Sequence, residues 1–102
     1  MLKLSRPGAE VFIPDGTSRE AACARVTHLV VAAHADDVEL MAWHAVLNAG
    51  GLGAVIVTDG RGSARAGAYA QVSDDEMRNT RLLEQKRAAS RGNYAVVIWL
   101  DH

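Results

Sequence analysis

The apolar run Leu29-Val30-Val31-Ala32-Ala33 is followed at once by the polar segment His34-Ala35-Asp36-Asp37-Val38-Glu39. A short run without polar alternation fits a strand buried on both faces, the usual condition of a parallel sheet. Parallel neighbours cannot be joined by a tight hairpin and need a crossover, usually a helix. The chain supplies both parts. Strand one is read over Thr27–Ala33, strand two over Gly53–Thr58 and strand three over Tyr94–Leu100. Helix one is read over Val38–Ala49 and ends at Gly50-Gly51, glycines suited to the positions just past a C-cap. Helix two opens on Ser73-Asp74-Asp75-Glu76, which has the form of a capping box, runs to about Ser90 and stops at Gly92-Asn93. Ahead of strand one lies an irregular lead-in over residues 1–16. It contains one short extended piece, Glu10–Ile13, closed by Pro14-Asp15-Gly16. Thr17 or Ser18 then caps a short helix through Ala24.

The order β-α-β-α-β predicts an α/β fold: a Rossmann-like parallel sheet of three neighbouring strands in a three-layer α/β/α arrangement. Such a sheet is half of a doubly wound one and leaves apolar surface and strand edges uncovered. Residues 1–102 are therefore expected to form a single, incomplete domain, the first half of a larger one. Its open side is expected to be covered by a homo-oligomer or by a missing C-terminal half.

Composition narrows the partners. A net charge of −1 gives no electrostatic ground for nucleic acid or an anionic membrane. No apolar run approaches a membrane span, and Met1–Gly8 lacks the apolar core of a signal peptide. Cys23 is the only cysteine, which excludes a disulfide framework and predicts a cytoplasmic location, with the thiol itself inert. Aromatic residues are few, so Val, Leu, Ile and Ala must fill the core, and Trp43 and Trp99 are read as core or interface residues.

Chemistry concentrates where strand one ends. In open α/β sheets ligands bind outside the C-terminal ends of the strands. His34 and Asp37 are donor types suited to zinc, and Asp36 is a candidate base beside the metal. A plainer reading makes the same residues a polar turn in which one aspartate caps helix one. The glycine-rich, basic loop over residues 59–67 shares that sheet edge. Asp59 and Arg61 are its candidate substrate contacts, although surface loops often have this composition. Adjacent aspartates after a buried strand also hold magnesium for phosphoryl transfer, a use for which the imidazole of His34 is a poor donor. A third alternative is a non-catalytic module stabilised by oligomerisation.

With these residues in view, the sequence resembles the PIG-L (LmbE-like) family of zinc-dependent N-deacetylases. The resemblance rests on Ala33-His34-Ala35-Asp36-Asp37-Val38-Glu39, on Val57-Thr58-Asp59-Gly60 and on Arg81-Leu82-Leu83-Glu84-Gln85-Lys86-Arg87-Ala88-Ala89. Val11-Phe12-Ile13-Pro14-Asp15-Gly16 is similar to the lead-in of one subgroup. The resemblance implies removal of an acetyl group from an N-acetylated sugar or glycoconjugate. It implies zinc, or another divalent cation, on His34 and Asp37, with Asp36 as general base. Arg81 matches a substrate-contacting arginine, and Glu84 is implied to orient that helix or the arginine rather than touch substrate. The plainer reading of Arg81 is an i, i+3 partner of Glu84 on a solvated face.

Two departures accompany the resemblance. The family takes its third zinc ligand, and the histidine that stabilises the oxyanion, from a downstream His-x-x-His segment that these 102 residues do not contain. Trp43-His44 also stands where small residues are usual. No local histidine replaces the missing ligand on this reading. His28 is at the far end of strand one, about 20 Å from His34. His44 lies two turns into helix one, facing away. His102 ends strand three, about two strand spacings or ~10 Å distant. Two protein ligands leave zinc short of the three that catalytic sites use. The 102 residues alone are therefore not expected to form a competent hydrolase.

Overall fold

The computed structural model describes residues 3–48, 50–63, 65 and 67–102. The elements are β1 (Glu10–Phe12), α1 (Arg19–Ala24), β2 (His28–Ala32), α2 (Asp37–Met41), α3 (Trp43–Asn48), β3 (Leu52–Ile56), α4 (Asp74–Arg91) and β4 (Val96–Trp99), with a 3₁₀ turn at Gly67–Tyr69 before α4. Both expected caps form. Ser18 accepts the Ala21 N–H at 3.1 Å, and Ser73 accepts the Glu76 N–H at 3.2 Å, each satisfying a donor the first helical turn leaves open.

The result is a compact α/β domain on one four-stranded mixed sheet of order β1-β4-β3-β2. β2, β3 and β4 are parallel neighbours in chain order, as the apolar runs require. The expectation of an all-parallel sheet is corrected by β1. The extended piece in the lead-in pairs antiparallel with β4, placing Val11 opposite Ile98 and Phe12 opposite Val97. The edge of β4 would otherwise present open backbone groups, and the lead-in satisfies them.

The expected helix over Val38–Ala49 is two helices, divided at Ala42, whose φ of −124° is not helical. Alanine is a strong helix former, and nothing in the local sequence explains the break. Ala49, at the end of the expected helix, lies outside the described residues.

The three-layer expectation is also corrected over β2. Strand side chains alternate between faces, so the register puts Val30 and Ala32, Ala54 and Ile56, and Val97 and Trp99 on one side. That side carries the core, closed by Val38 of α2 and by Leu82 and Ala89 of α4. Lys86 of α4 pairs with Glu10 at 2.8 Å and lies over the Phe12 ring, fixing α4 above β1 and β4. Two crossovers of one hand that step in one direction across a sheet lie on one face. The opposite face of β2 therefore lacks a helical cover among the described residues: Leu29 is 59% and Val31 64% exposed. β2 is also the outer strand of the sheet. No helix among the described residues is long and apolar enough to cross a membrane.

One glycine sets the entry to β2. The Gly51 carbonyl accepts the N–H groups of Thr27 at 2.8 Å and His28 at 3.2 Å, and a Cβ on Gly51 would fall 1.8 Å from the backbone oxygen of Arg25. Main chain cannot swing aside as a side-chain tip can. Gly51→Ala is expected to destabilise the fold by at least the ~1–3 kcal/mol of an overpacked core. Urea denaturation followed by far-UV circular dichroism reads the loss.

Candidate functional site

The parallel ladder continues past the strand ends. Val57 and Thr58 donate to the carbonyls of Ala32 and Ala33, Leu100 to Ile56 and His102 to Val57, all within 2.9–3.0 Å. The residues after β2, β3 and β4 are thereby held at one rim. A cleft of about 510 Å³ opens there, lined by His34, Asp36, Thr58, Asp59, Arg81 and His102 among others.

The turn after β2 is built around its two aspartates. Asp37, in the first turn of α2, accepts the backbone N–H of His34 on Oδ2 at 3.0 Å. The same oxygen lies 3.3 Å from Nδ1 of the His34 ring, which is largely exposed. Asp36 occupies the N-cap position with φ at +77°, in the left-handed region that aspartate tolerates better than most residues. Its side chain makes no capping hydrogen bond, so its carboxylate is not consumed by the helix and lines the cleft instead. Desolvation raises that carboxyl above its ordinary value, partly opposed by the Arg81 guanidinium and reinforced by the charges of Glu84, Glu39 and Asp37. A carboxylate of raised basicity is better matched to accepting a proton near neutral pH. The Asp36 N–H donates to Oε1 of Gln85 at 3.2 Å.

The His34–Asp37 pair has a spacing a metal can use. Two bonds of about 2.0–2.1 Å meeting at a tetrahedral angle hold their donor atoms about 3.3 Å apart, the observed Nδ1···Oδ2 distance. The donor types, imidazole nitrogen and carboxylate oxygen, also suit zinc. The pair would supply at most two corners of a tetrahedron. No group of three or more His, Cys, Asp or Glu side chains is placed to hold a metal among the described residues. His102 lines the same cleft as His34 but does not complete such a group. His28 is at the other end of β2, and exposed His44 is in α3, outside the cleft lining.

Arg81 reaches the cleft from α4. Its Nη1 donates to Glu84 Oε2 at 2.7 Å, its Nε to Ser63 Oγ at 3.2 Å, and its guanidinium lies 5.3 Å over the Tyr69 ring. The Glu84 hydrogen bond raises the Arg81 pKa most, so the cation is fixed at any relevant pH. Glu84 is in turn held by the Tyr69 hydroxyl at 3.1 Å. Arg81 is thus an i, i+3 partner of Glu84, though its side chain is 20% exposed rather than on a solvated face, and it lines the cleft. Gly60 lets the loop come this close, since a Cβ there would sit 3.0 Å from Arg81, and its φ is +83°.

The other basic residues of the loop hold the loop itself. Arg61 pairs with Asp59 and with Asp75, and it faces a neighbouring hollow with Arg78 and Asp101 rather than the cleft. Arg65 donates to Val72 and Ser63 carbonyls and pairs with Asp74. Ala64 and Ala66 of the expected 59–67 loop lie outside the described residues. Burial pushes the Asp59 carboxyl up, but hydrogen bonds from the Arg61 backbone and side chain outweigh it and hold the group below its ordinary value. Asp59 is a cleft residue whose charge is already engaged. The orphaned polar atom of this region is Thr58 Oγ1, buried with no hydrogen-bond partner among the described residues.

Sequence reading passed over Gln85 and Tyr94. A signal for Gln85 existed: with Leu82 and Ala89 it follows the three-then-four spacing of a buried helical stripe, and it is 1% exposed. A polar residue on such a stripe needs a partner, and the partner is the site turn. No protein-family model, curated protein or solved structure matches this chain.

Proposed function

We propose that this chain is the metal-binding portion of a zinc-dependent N-deacetylase of the PIG-L-like type, acting on an N-acetylated sugar or glycoconjugate. The single observation that carries the reading is the convergence of His34 Nδ1 and Asp37 Oδ2 to 3.3 Å at the tip of β2, with the uncapped Asp36 carboxylate on the cleft side. His34 and Asp37 would hold the zinc, which when bound polarises an amide carbonyl and acidifies a water molecule. Asp36 accepts a proton, a role favoured by its raised basicity. Arg81, braced by Glu84, offers fixed donors for hydroxyl or anionic groups of the substrate.

The Rossmann-like half-domain reading goes with this function. The outer strand β2 and the exposed Leu29 and Val31 support a covering partner, either a second copy or a C-terminal half that brings the third ligand. With one exposed cysteine and no other, a reducing, cytoplasmic setting is the proposed location.

The test is metal selectivity. Calorimetric titration of the metal-free chain should show one zinc per chain, undisturbed by millimolar magnesium. Preference for magnesium would shift the site to phosphoryl transfer, and failure to bind either cation would overturn the proposal.

A further inference from the structure

Behind the cleft, four groups form a chain of hydrogen bonds whose donors converge on Glu39. The Tyr94 hydroxyl donates to Glu39 Oε1 at 2.5 Å, and Gln85 Nε2 donates to the same oxygen at 3.0 Å. Oε1 of Gln85 accepts the N–H of Asp36 at 3.2 Å. Gln85 is 1% and Tyr94 2% exposed. The polarity is forced. A carboxylate only accepts and a peptide N–H only donates, so the residue between them must offer a donor to one and an acceptor to the other. A primary amide does both. Burial, followed by the Glu39 hydrogen bond, keeps the Tyr94 phenol protonated well beyond its ordinary range, so the far end of the chain stays a donor at all working pH values.

We propose that Gln85 is a positioning residue of the cleft: its amide pins the Asp36 peptide in the left-handed turn and so aims the Asp36 and Asp37 side chains. Glu39 and Tyr94 hold Gln85 in register. The device joins α2, α4 and the approach to β4, and so adds tertiary contacts to the local Asp37–His34 bond that shapes the turn. Its consequence for metal affinity rests on the zinc reading above, whereas its consequence for the backbone of Asp36 does not.

Three variants test it: Gln85→Leu, Gln85→Glu, and the swap Gln85→Glu with Glu39→Gln. The swap preserves the bonds of position 85 to the Asp36 N–H and to position 39, with amide and carboxylate exchanged, while the Tyr94 hydroxyl turns from donor to acceptor. In metal-free protein, NMR amide exchange at Asp36 should quicken about tenfold in Gln85→Leu, relative to the amide of Ala54 in β3, for loss of one hydrogen bond. Zinc affinity, measured by chelator competition, should fall about 10–100-fold, as when a group supporting a ligand is removed. Gln85→Glu, which sets two carboxylates face to face, should weaken zinc binding, and the swap should restore it. If Gln85→Leu does not fold, the comparison of Gln85→Glu with the swap decides the matter. Asp36 exchange that merely follows Ala54 in every folded variant, or a swap no better than Gln85→Glu alone, overturns the proposal. A wild-type chain that binds no zinc overturns the metal reading only, and amide exchange still decides the role of Gln85.

Discussion

Trp99→Ala is expected to cost about 3–5 kcal/mol, the range for emptying a large aromatic site in a core. Trp99 is 1% exposed and the largest fully buried side chain. It stands at the end of β4 on the core face, between Ile56 and Glu10 in neighbouring strands. Its indole N–H reaches toward Asp101 Oδ1 at 3.4 Å, where Arg78 donates to the same carboxylate oxygen at 2.7 Å and to the Gly8 carbonyl at 2.6 Å. Arg6 adds a bond to the Asp101 carbonyl at 2.8 Å. The indole thus connects the core to the network that ties the lead-in to the rim. Small domains hold only about 5–15 kcal/mol in total, so the variant should lose about a fifth or more of its stability. A melting temperature lower by ~12 °C or more follows for a domain of this size. Differential scanning calorimetry reads it, and a shift of only a few degrees would show that the site collapses around the gap.

The parts of the fold legible in the sequence are those that local chemistry decides. Ser18 and Ser73 cap their helices because a hydroxyl before a helix has donors waiting for it. The apolar runs become parallel strands because nothing polar interrupts them and helices of crossover length separate them. His34 and Asp37 meet because a turn at a strand–helix junction brings positions three apart together. What was not legible depends on partners distant in sequence. The extended piece at Glu10–Ile13 could be read locally, but its pairing with Val97–Trp99 spans most of the chain and left no local mark. Arg61 read as a candidate substrate contact in a basic loop, yet Asp59 and Asp75 claim it as Asp74 claims Arg65, and pairing of that kind has no local signature. The second face of the sheet was expected to be covered because runs such as Leu29–Ala33 are apolar on both sides. A run of side chains reports which faces avoid water, not which element of the same chain reaches them.

Zinc binding is expected to fall by more than ~100-fold in Asp37→Ala, since removing a group that merely supports a ligand already costs 10–100-fold. The alanine variant loses two things at once: the carboxylate facing His34 Nδ1 at 3.3 Å, and the acceptor of the His34 backbone N–H at 3.0 Å. Asp37→Asn separates them. An asparagine oxygen still accepts the His34 N–H and keeps the turn, but it brings no negative charge to the cation. If the carboxylate serves as a ligand, both variants lose zinc, and the asparagine variant retains the wild-type amide chemical shifts of the turn. If Asp37 only shapes the turn, Asp37→Asn binds like wild type and the two-residue ligand set is wrong. Thermal melts give an independent reading, because zinc at 100 times its dissociation constant should stabilise the native chain by about 2.7 kcal/mol. That gain should be present in wild type and Asp36→Asn and absent in both Asp37 variants. Asp36 and Asp37 are adjacent in sequence but differ in environment, one an uncapped cleft carboxylate of raised basicity and the other bonded to His34. The melts therefore distinguish a carboxylate that holds a metal from one that does not.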